Sequence, residues 1–131
     1  MFRVDASNEI GIGHVIRCQS LALELRKKGM DVQFICRKNV GDCSPILINN
    51  GFLIVFLPSK IEEIEDAEKT IKILEDYEPN WVILDHYGLG ILWEKKIKNL
   101  NTKLLVIDDL EDRPHSADLL LNQNFGYDKE G

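Results

Sequence analysis

The sequence FRVDASNEIGIGHVIRC, residues 2–18, is the first indication of the fold, because it passes from a strand pattern to a helix pattern through a loop with two glycines. Phe2 to Val4 is a short strand candidate, and residues 5–13 form the loop. From Val15 onward, apolar residues recur at the spacing of one helix face. A strand that leads into a helix is the first part of a β-α-β unit, which predicts a parallel sheet.

The same alternation continues to the end of the chain. Further strands are predicted at 32–36, 52–57, 81–84, 104–107 and 119–121, and further helices at 44–50, from 61 to before Pro79, and at 91–100. Gly29 is expected to end the first helix, and Asn50-Gly51 the second. The run 52–57 is almost continuously apolar, which predicts a strand covered on both faces. We therefore expect an α/β fold with a doubly wound, mainly parallel sheet and helices on both faces, formed by residues 1–131 as one Rossmann-like domain.

Composition excludes several classes of function. The net charge is -6, from 16 Lys+Arg and 22 Asp+Glu, and no basic stripe is visible, so we expect no nucleic-acid partner. No apolar run approaches the ~20 residues that span a bilayer, and no signal peptide is recognisable, so we expect no stable membrane association. Three cysteines without a repeated spacing predict neither a disulfide framework nor a zinc site, and they favour the cytoplasm; Cys18 and Cys36 are expected in the core.

Polar residues cluster directly after the predicted strands. They are Asp5, Asp85-His86-Tyr87, Asp108-Asp109 and Asn122. In doubly wound sheets, ligands bind beyond the carboxyl ends of the strands, so these positions predict a binding site. The mixed charge run at 60–66, by contrast, predicts a solvated helix face.

The first loop leads into a helix N-terminus. Gly11 and Gly13 allow positive φ and close approach of a ligand to the backbone. The amide groups and the partial positive charge of the helix start suit an anion or a polar sugar ring. The loop is not a dinucleotide fingerprint, because Ile16 stands where the third glycine would be, and it is not a P-loop, because no Gly-Lys-Ser/Thr follows.

His14 lies in the first turn of this helix. The alternative is a surface histidine, but the glycine loop directs the residue toward the predicted crevice. The positive helix end disfavours the protonated ring, so His14 is expected to be neutral near pH 7 and able to accept a proton. Arg17, one turn later, can hold an anion or a carboxylate.

The other strand ends leave more than one interpretation. Asp85 either caps a turn, by accepting backbone amides, or forms a hydrogen-bonding group with His86 and Tyr87. The phenol of Tyr87 can orient water or a sugar hydroxyl. Adjacent acids point in opposite directions on an extended segment, so at most one of Asp108 and Asp109 faces the site. Without a tighter ligand cluster we expect no metal and no cofactor.

These motifs together resemble the UDP-2,4-diacetamido-2,4,6-trideoxy-β-L-altropyranose hydrolases of pseudaminic acid biosynthesis, which are close to spore-coat polysaccharide biosynthesis proteins. Residues 2–7 and 10–18 are similar to the opening motif of that family. Residues 84–88, 107–109 and 117–122 are similar to later family motifs and occur in the same order. The resemblance spans nearly the whole chain.

The resemblance implies a two-domain, GT-B-like architecture, of which this chain is the N-terminal domain and a C-terminal nucleotide-binding domain is absent. It also implies hydrolysis of the anomeric bond of a UDP-linked amino sugar, with release of UDP in the cytoplasm. His14 would be the general base, and Tyr87 would belong to the active site. Expected substrate contacts are Asp5, Ser7, Gly11, Gly13, Arg17, Asp85, His86, Asp109 and Asn122.

Two other functions remain open. A GT-B glycosyltransferase would use similar chemistry with a different acceptor, but the first loop has no adjacent Lys/Arg-rich apolar patch for docking to lipid. A truncated, non-catalytic sugar-binding or interaction module is the second alternative.

Overall fold

The computed structural model describes residues 1–5, 13–38, 44–85, 89–98, 100–107 and 117–121. The elements in chain order are β1 (Phe2–Val4), α1 (Gly13–Lys27), β2 (Gln33–Arg37), α2 (Ser44–Asn49), β3 (Leu53–Leu57), α3 (Glu63–Tyr77), β4 (Trp81–Asp85), α4 (Ile91–Lys98), β5 (Lys103–Ile107) and β6 (Leu119–Leu121). The chain has an α/β fold of the Rossmann-like, doubly wound class with parallel strands, as predicted. It forms two compact units, Met1–Ile61 and Glu62–Gly131.

The first unit contains three parallel strands in the order β3-β2-β1. Helix α1 packs against β1, and three of the apolar side chains that predicted this helix are buried, Val15, Cys18 and Ala22. Aromatic rings fill the rest of this core: Phe2 stacks on Phe34 at 4.9 Å between centroids, and Phe34 meets Phe52 edge to face at 5.2 Å. Burial of one helical face against a parallel sheet is the arrangement expected from the sequence.

Glycines end the first two helices, as predicted. After α1, Gly29 has a φ of 88°, and the Met30 amide returns to the Leu25 carbonyl at 3.2 Å. After α2, Gly51 has a φ of 81°. Both values lie in the left-handed region, which glycine enters without the steric cost that a Cβ would bring.

The prediction for strand β3 is correct in position but wrong in burial. Leu53 and Phe56 are 52% and 37% exposed, although a strand covered on both faces was expected. Among the described residues, β3 pairs only with β2, so it is the outer strand of its unit. The Lys38 ammonium lies 5.9 Å from the centre of the Phe56 ring and covers part of this apolar surface.

The second unit contains three parallel strands in the order β4-β5-β6. Leu84 is opposite Val106, and Ile107 is opposite Leu121. Helix α3 packs against α4, and α4 packs against β5. Helix α3 ends before Pro79, as predicted.

Two further predictions can be compared with the described residues. Cys18 and Cys36 are buried, which confirms their place in the core. Within the described ranges, no helix is long and apolar enough to cross a bilayer.

Candidate functional site

The start of α1 lies where the sequence predicts it. The helix begins at Gly13, so His14 is in its first turn, and Arg17 follows one turn later with a half-buried side chain. Ser7 and Gly11 lie outside the described residues, and so does the side chain of His14. The proposed contacts of these residues with substrate therefore stay predictions.

The carboxylate of Asp5 lies at the end of β1 and is buried within the protein. The Arg3 guanidinium donates to both of its oxygens, Nη1 to Oδ1 at 2.9 Å and Nη2 to Oδ2 at 3.0 Å. The backbone N–H of Arg37 donates to Oδ1 at 2.7 Å, and the Arg37 Nε lies 3.9 Å from Oδ2. Asp5 therefore links the ends of β1 and β2, because Arg37 is the last residue of β2.

A two-point pair between a guanidinium and a carboxylate is strong and fixes the direction of both groups. Arg3 and Asp5 are both buried, so each charge depends on protein partners in place of water. The described contacts give Asp5 a structural role at the point where the first loop leaves β1. Its contact with substrate stays a prediction.

The sequence prediction missed Arg3 and Arg37. A signal was present for Arg3, which stands between Phe2 and Val4 in a strand that is buried throughout. A cation inside such a strand requires a partner, and the nearest acid along the chain is Asp5. For Arg37 the signal was weak, since β2 extends one residue beyond its predicted end.

In the second unit, the carboxyl ends of the three strands lie along one edge. Asp85 is the last residue of β4 and is fully buried. Strands β5 and β6 end at Ile107 and Leu121, which are opposite each other in the parallel register. The other predicted residues of this edge lie outside the described residues: His86, Tyr87, Asp108, Asp109 and Asn122.

Glu63, in the first turn of α3, binds the start of α4. Its Oε2 accepts the backbone N–H of Gly90 at 2.7 Å and that of Trp93 at 3.1 Å. A carboxylate is favourable at a helix N-terminus, because it satisfies amide groups that have no partner within the helix and meets the positive end of the helix dipole.

Asp66 makes a second link between the same two helices. Its Oδ1 accepts the indole N–H of Trp93 at 2.9 Å and the hydroxyl of Thr70 at 3.3 Å. Asp66, Thr70 and Trp93 are all buried. Two acidic residues of α3, three positions apart, therefore both bind groups at the beginning of α4.

These contacts correct the prediction for the charge run at 60–66. Lys60, Glu62 and Glu65 are exposed, as expected of a solvated face, but Asp66 is fully buried and Glu63 is half-buried. A signal was available in the spacing: Glu63 and Asp66 precede Thr70 and Leu74 on one helical face, and that face is the buried one.

A cavity of about 700 Å³ lies at the opposite edge of the second unit, where β4 and β5 begin. Its lining includes Glu78, Trp81 and Lys103. Trp81 is 38% exposed, and the Lys103 ammonium lies 5.7 Å from the centre of its ring. The cavity is at the amino ends of the strands, so it is separate from the edge at which the sequence predicts the site.

Comparison with known proteins connects this chain to two longer ones. No family model matches it. It is 35% identical over 127 residues, 95% of its length, to the UDP-2,4-diacetamido-2,4,6-trideoxy-beta-L-altropyranose hydrolase of Campylobacter jejuni, and the match covers 41% of that protein. It is 31% identical over 123 residues, 93% of its length, to an uncharacterized protein of Methanocaldococcus jannaschii, of which the match covers 24%. The chain is thus related to part of each protein and spans less than half the length of either.

Proposed function

We propose that this chain is the N-terminal part of a nucleotide-sugar hydrolase and carries its general base. The enzyme would cleave the anomeric bond of a UDP-linked diacetamido-trideoxy sugar. The observation that carries the proposal is the position of His14 in the first turn of α1, after β1 of a parallel sheet. The 35% identity with a UDP-sugar hydrolase supports the choice of substrate class. In this proposal a C-terminal nucleotide-binding domain beyond residue 131 completes the site, and the protein acts in the cytoplasm in nonulosonic acid or surface polysaccharide synthesis.

The proposed reaction is a single displacement by water. The water oxygen attacks the anomeric carbon while a ring nitrogen of His14 takes one of the water protons. The bond between the anomeric carbon and the diphosphate oxygen breaks, and UDP leaves with the electron pair. UDP is a good leaving group at neutral pH, so activation of the water is the main requirement for catalysis. A general base typically raises the rate of such a step ~10²–10⁴-fold.

The remaining predicted residues bind and orient the reactants. The phenol of Tyr87 would hold the water or a sugar hydroxyl in line with the anomeric carbon, which lowers the entropic part of the barrier. The half-buried Arg17 follows His14 by one turn and would meet a negative group of the substrate. The displacement involves no redox step and calls for no cofactor.

Replacement of His14 tests the proposal directly. In the full-length protein, His14→Asn should lower kcat for UDP release by ~10²–10⁴-fold with little change in KM, because Asn cannot take a proton at neutral pH. Wild-type turnover should also fall at acid pH, where the imidazolium has no lone pair, and the variant should lack that acidic limb. Ser20→Ala, at an exposed position of the same helix, is the matched control.

Three outcomes would contradict this proposal in different ways. Near-normal turnover in His14→Asn, or an unchanged acidic limb, would assign the base to another group. A loss confined to KM would show that His14 only binds the sugar. Transfer of the sugar to an acceptor other than water would make the protein a glycosyltransferase.

A further inference from the structure

We infer that the cavity at the amino ends of β4 and β5 binds a neutral carbohydrate ring. It lies in the second unit, between the turn that joins α3 to β4 and the turn that joins α4 to β5, and its volume is about 700 Å³. Pockets of this size, roughly 300–1,000 Å³, typically hold small organic ligands. This inference does not depend on the proposed hydrolysis, because the cavity is at the opposite edge from the carboxyl ends of the strands.

Hydrogen bonds between the two turns fix the shape of the cavity. The Thr102 hydroxyl donates to the Pro79 carbonyl at 3.1 Å, and the backbone N–H of Lys103 donates to the Asn80 carbonyl at 3.1 Å. Each bond joins one turn to the other, and all of these residues line the cavity. A ligand would therefore meet walls that are already ordered, which spares the entropic cost of arranging them on binding.

Trp81 provides an aromatic wall of the cavity. It is the first residue of β4 and is 38% exposed. Leu74, which is buried, and Leu100, which is half-buried, also line the cavity. One face of a pyranose ring consists of C–H groups, which pack on an indole because the aromatic face is negative and the hydrogens are slightly positive. A sugar ring on Trp81 would also remove apolar indole surface from water.

Hydrogen-bond donors and acceptors line the same cavity. The carboxylates of Glu75 and Glu78 only accept hydrogen bonds, and the ammonium of Lys103 only donates them. The side-chain amides of Asn80 and Asn101 can do both. These residues are all exposed. A sugar hydroxyl is a donor and an acceptor at once, so a ring with several hydroxyls can match this mixed set.

The charges of the cavity disfavour both kinds of ion. An anion would meet the carboxylates of Glu75 and Glu78 and the carbonyl end of α3, where the helix dipole is negative. A cation would meet the Lys103 ammonium, which lies 5.7 Å from the centre of the Trp81 ring, within the range at which a cation binds an indole. A neutral ligand avoids both repulsions, and a carbohydrate supplies the hydroxyls that the polar groups can bind.

The end of α3 departs from local preferences where it meets the cavity. Helices α1 and α2 are followed by glycines in the left-handed region, Gly29 and Gly51, but α3 is followed by Glu78, with a φ of 48° and a ψ of 53°. A Cβ makes this conformation costly. The last turn of α3 also has no basic residue, whereas that of α1 has Arg26 and Lys27. Strain that persists in a fold often marks a binding site, and the strained residue here lines the cavity.

Titration followed by NMR tests the site in the 131-residue chain. Its two tryptophans each give one indole N–H signal, so the exposed Trp81 reports on the cavity and the buried Trp93 is an internal control. Glucose, galactose and N-acetylglucosamine are the probes. At least one of them should shift the Trp81 signal saturably in the millimolar range and leave the Trp93 signal in place. Phosphate and tetramethylammonium, an anion and a cation, should give no saturable shift.

Two variants separate binding from stability. Trp81→Ala should weaken binding of the same sugar about tenfold or more, measured from the backbone amide signals of residues 100–103. Glu78→Gly removes the carboxylate but relieves the left-handed backbone, so it should weaken binding roughly tenfold while it raises the melting temperature. Asp76→Ala removes an exposed carboxylate of α3 that does not line the cavity, and it should leave binding unchanged.

Several results would overturn the inference. One is the lack of a saturable response to all three sugars, and another is a saturable response to phosphate or tetramethylammonium without one to the sugars. Equal shifts of both indole signals would contradict a site at this cavity. Sugar binding that is unchanged in both Trp81→Ala and Glu78→Gly would place the site elsewhere. Each of these results leaves the proposed hydrolysis to be decided by His14→Asn.

Discussion

In each unit, carboxylates are bound within the protein, but their partners differ in charge. In the first unit, Asp5 is held by the buried guanidinium of Arg3 and by a backbone amide of β2. In the second unit, the described bonds of Glu63 and Asp66 come from backbone amides, an indole and a hydroxyl. Replacement of Asp5 would leave a buried cation without its counter-charge, whereas loss of one donor to Asp66 would leave a buried acceptor with one bond fewer, and the first change should cost more.

The carboxylates of Asp5 and Glu63 also differ in their position along the chain relative to the predicted catalytic residues. Asp5 fixes the end of β1, from which the chain leaves toward His14. Glu63 fixes the start of α4, to which the chain returns after Tyr87. Along the chain, His14 follows Asp5 by nine residues, and Tyr87 precedes Gly90 by three.

The largest effect is expected from Asp5→Ala. The change leaves the buried Arg3 without its carboxylate partner, which should lower the free energy of unfolding by ~3–5 kcal/mol. Urea unfolding followed by circular dichroism measures the loss. Asp5→Asn keeps an acceptor for the Arg37 amide and should lose less. Asp31→Ala, at an exposed position of the same unit, is the control, and a loss for Asp5→Ala no larger than for Asp31→Ala would refute the buried pair.

An intermediate effect is expected from Trp93→Phe. The ring is nearly retained, but Asp66 loses the indole N–H that it accepts at 2.9 Å, which should cost about 1–3 kcal/mol of unfolding free energy. Trp81→Phe is the matched control, because Trp81 is exposed at the start of its strand. A loss in Trp93→Phe no larger than in Trp81→Phe, measured by urea unfolding, would contradict a contribution from the bond to Asp66.

The smallest effect is expected from Asp118, a solvent-facing counterpart of the buried acids. Its hydrogen bond from Lys98, at 2.6 Å, and that from the Leu104 amide, at 2.7 Å, lower the pKa of the carboxyl below its usual 3.8. A lowered pKa means that the contribution to stability is present above the ordinary pKa and is lost as pH falls through the folded value.

Melting temperatures measured between neutral and strongly acid pH check this sign. Asp118→Asn should lower the melting temperature slightly in the neutral range, because it lacks the contribution of the charged carboxyl, and should show a smaller further loss below the ordinary pKa. Asp76→Asn, another exposed acid of the second unit, serves as control. An Asp118→Asn profile that runs parallel to the wild type at every pH would show that the bonds to Asp118 do not depend on its charge.

Features that depend on residues close together along the chain were predictable from the sequence. Helical spacing in 13–27 and short apolar runs predicted the elements, Gly29 and Gly51 predicted helix ends, and the first motif placed His14 in the first turn of α1. These features follow from local torsions and from the periods of helix and strand, so a single stretch of chain is enough to indicate them.

The burial of the charged groups and the identity of their partners depend on contacts between elements that are distant in the sequence. The Arg37 amide is 32 residues from Asp5, and the Trp93 indole is 27 residues from Asp66. Similarly, β3 has the apolar sequence of an inner strand but lies at the outside of its unit. The free energy of a buried charge, or of an exposed apolar face, depends on which element lies against it, and composition and periodicity do not specify that neighbour.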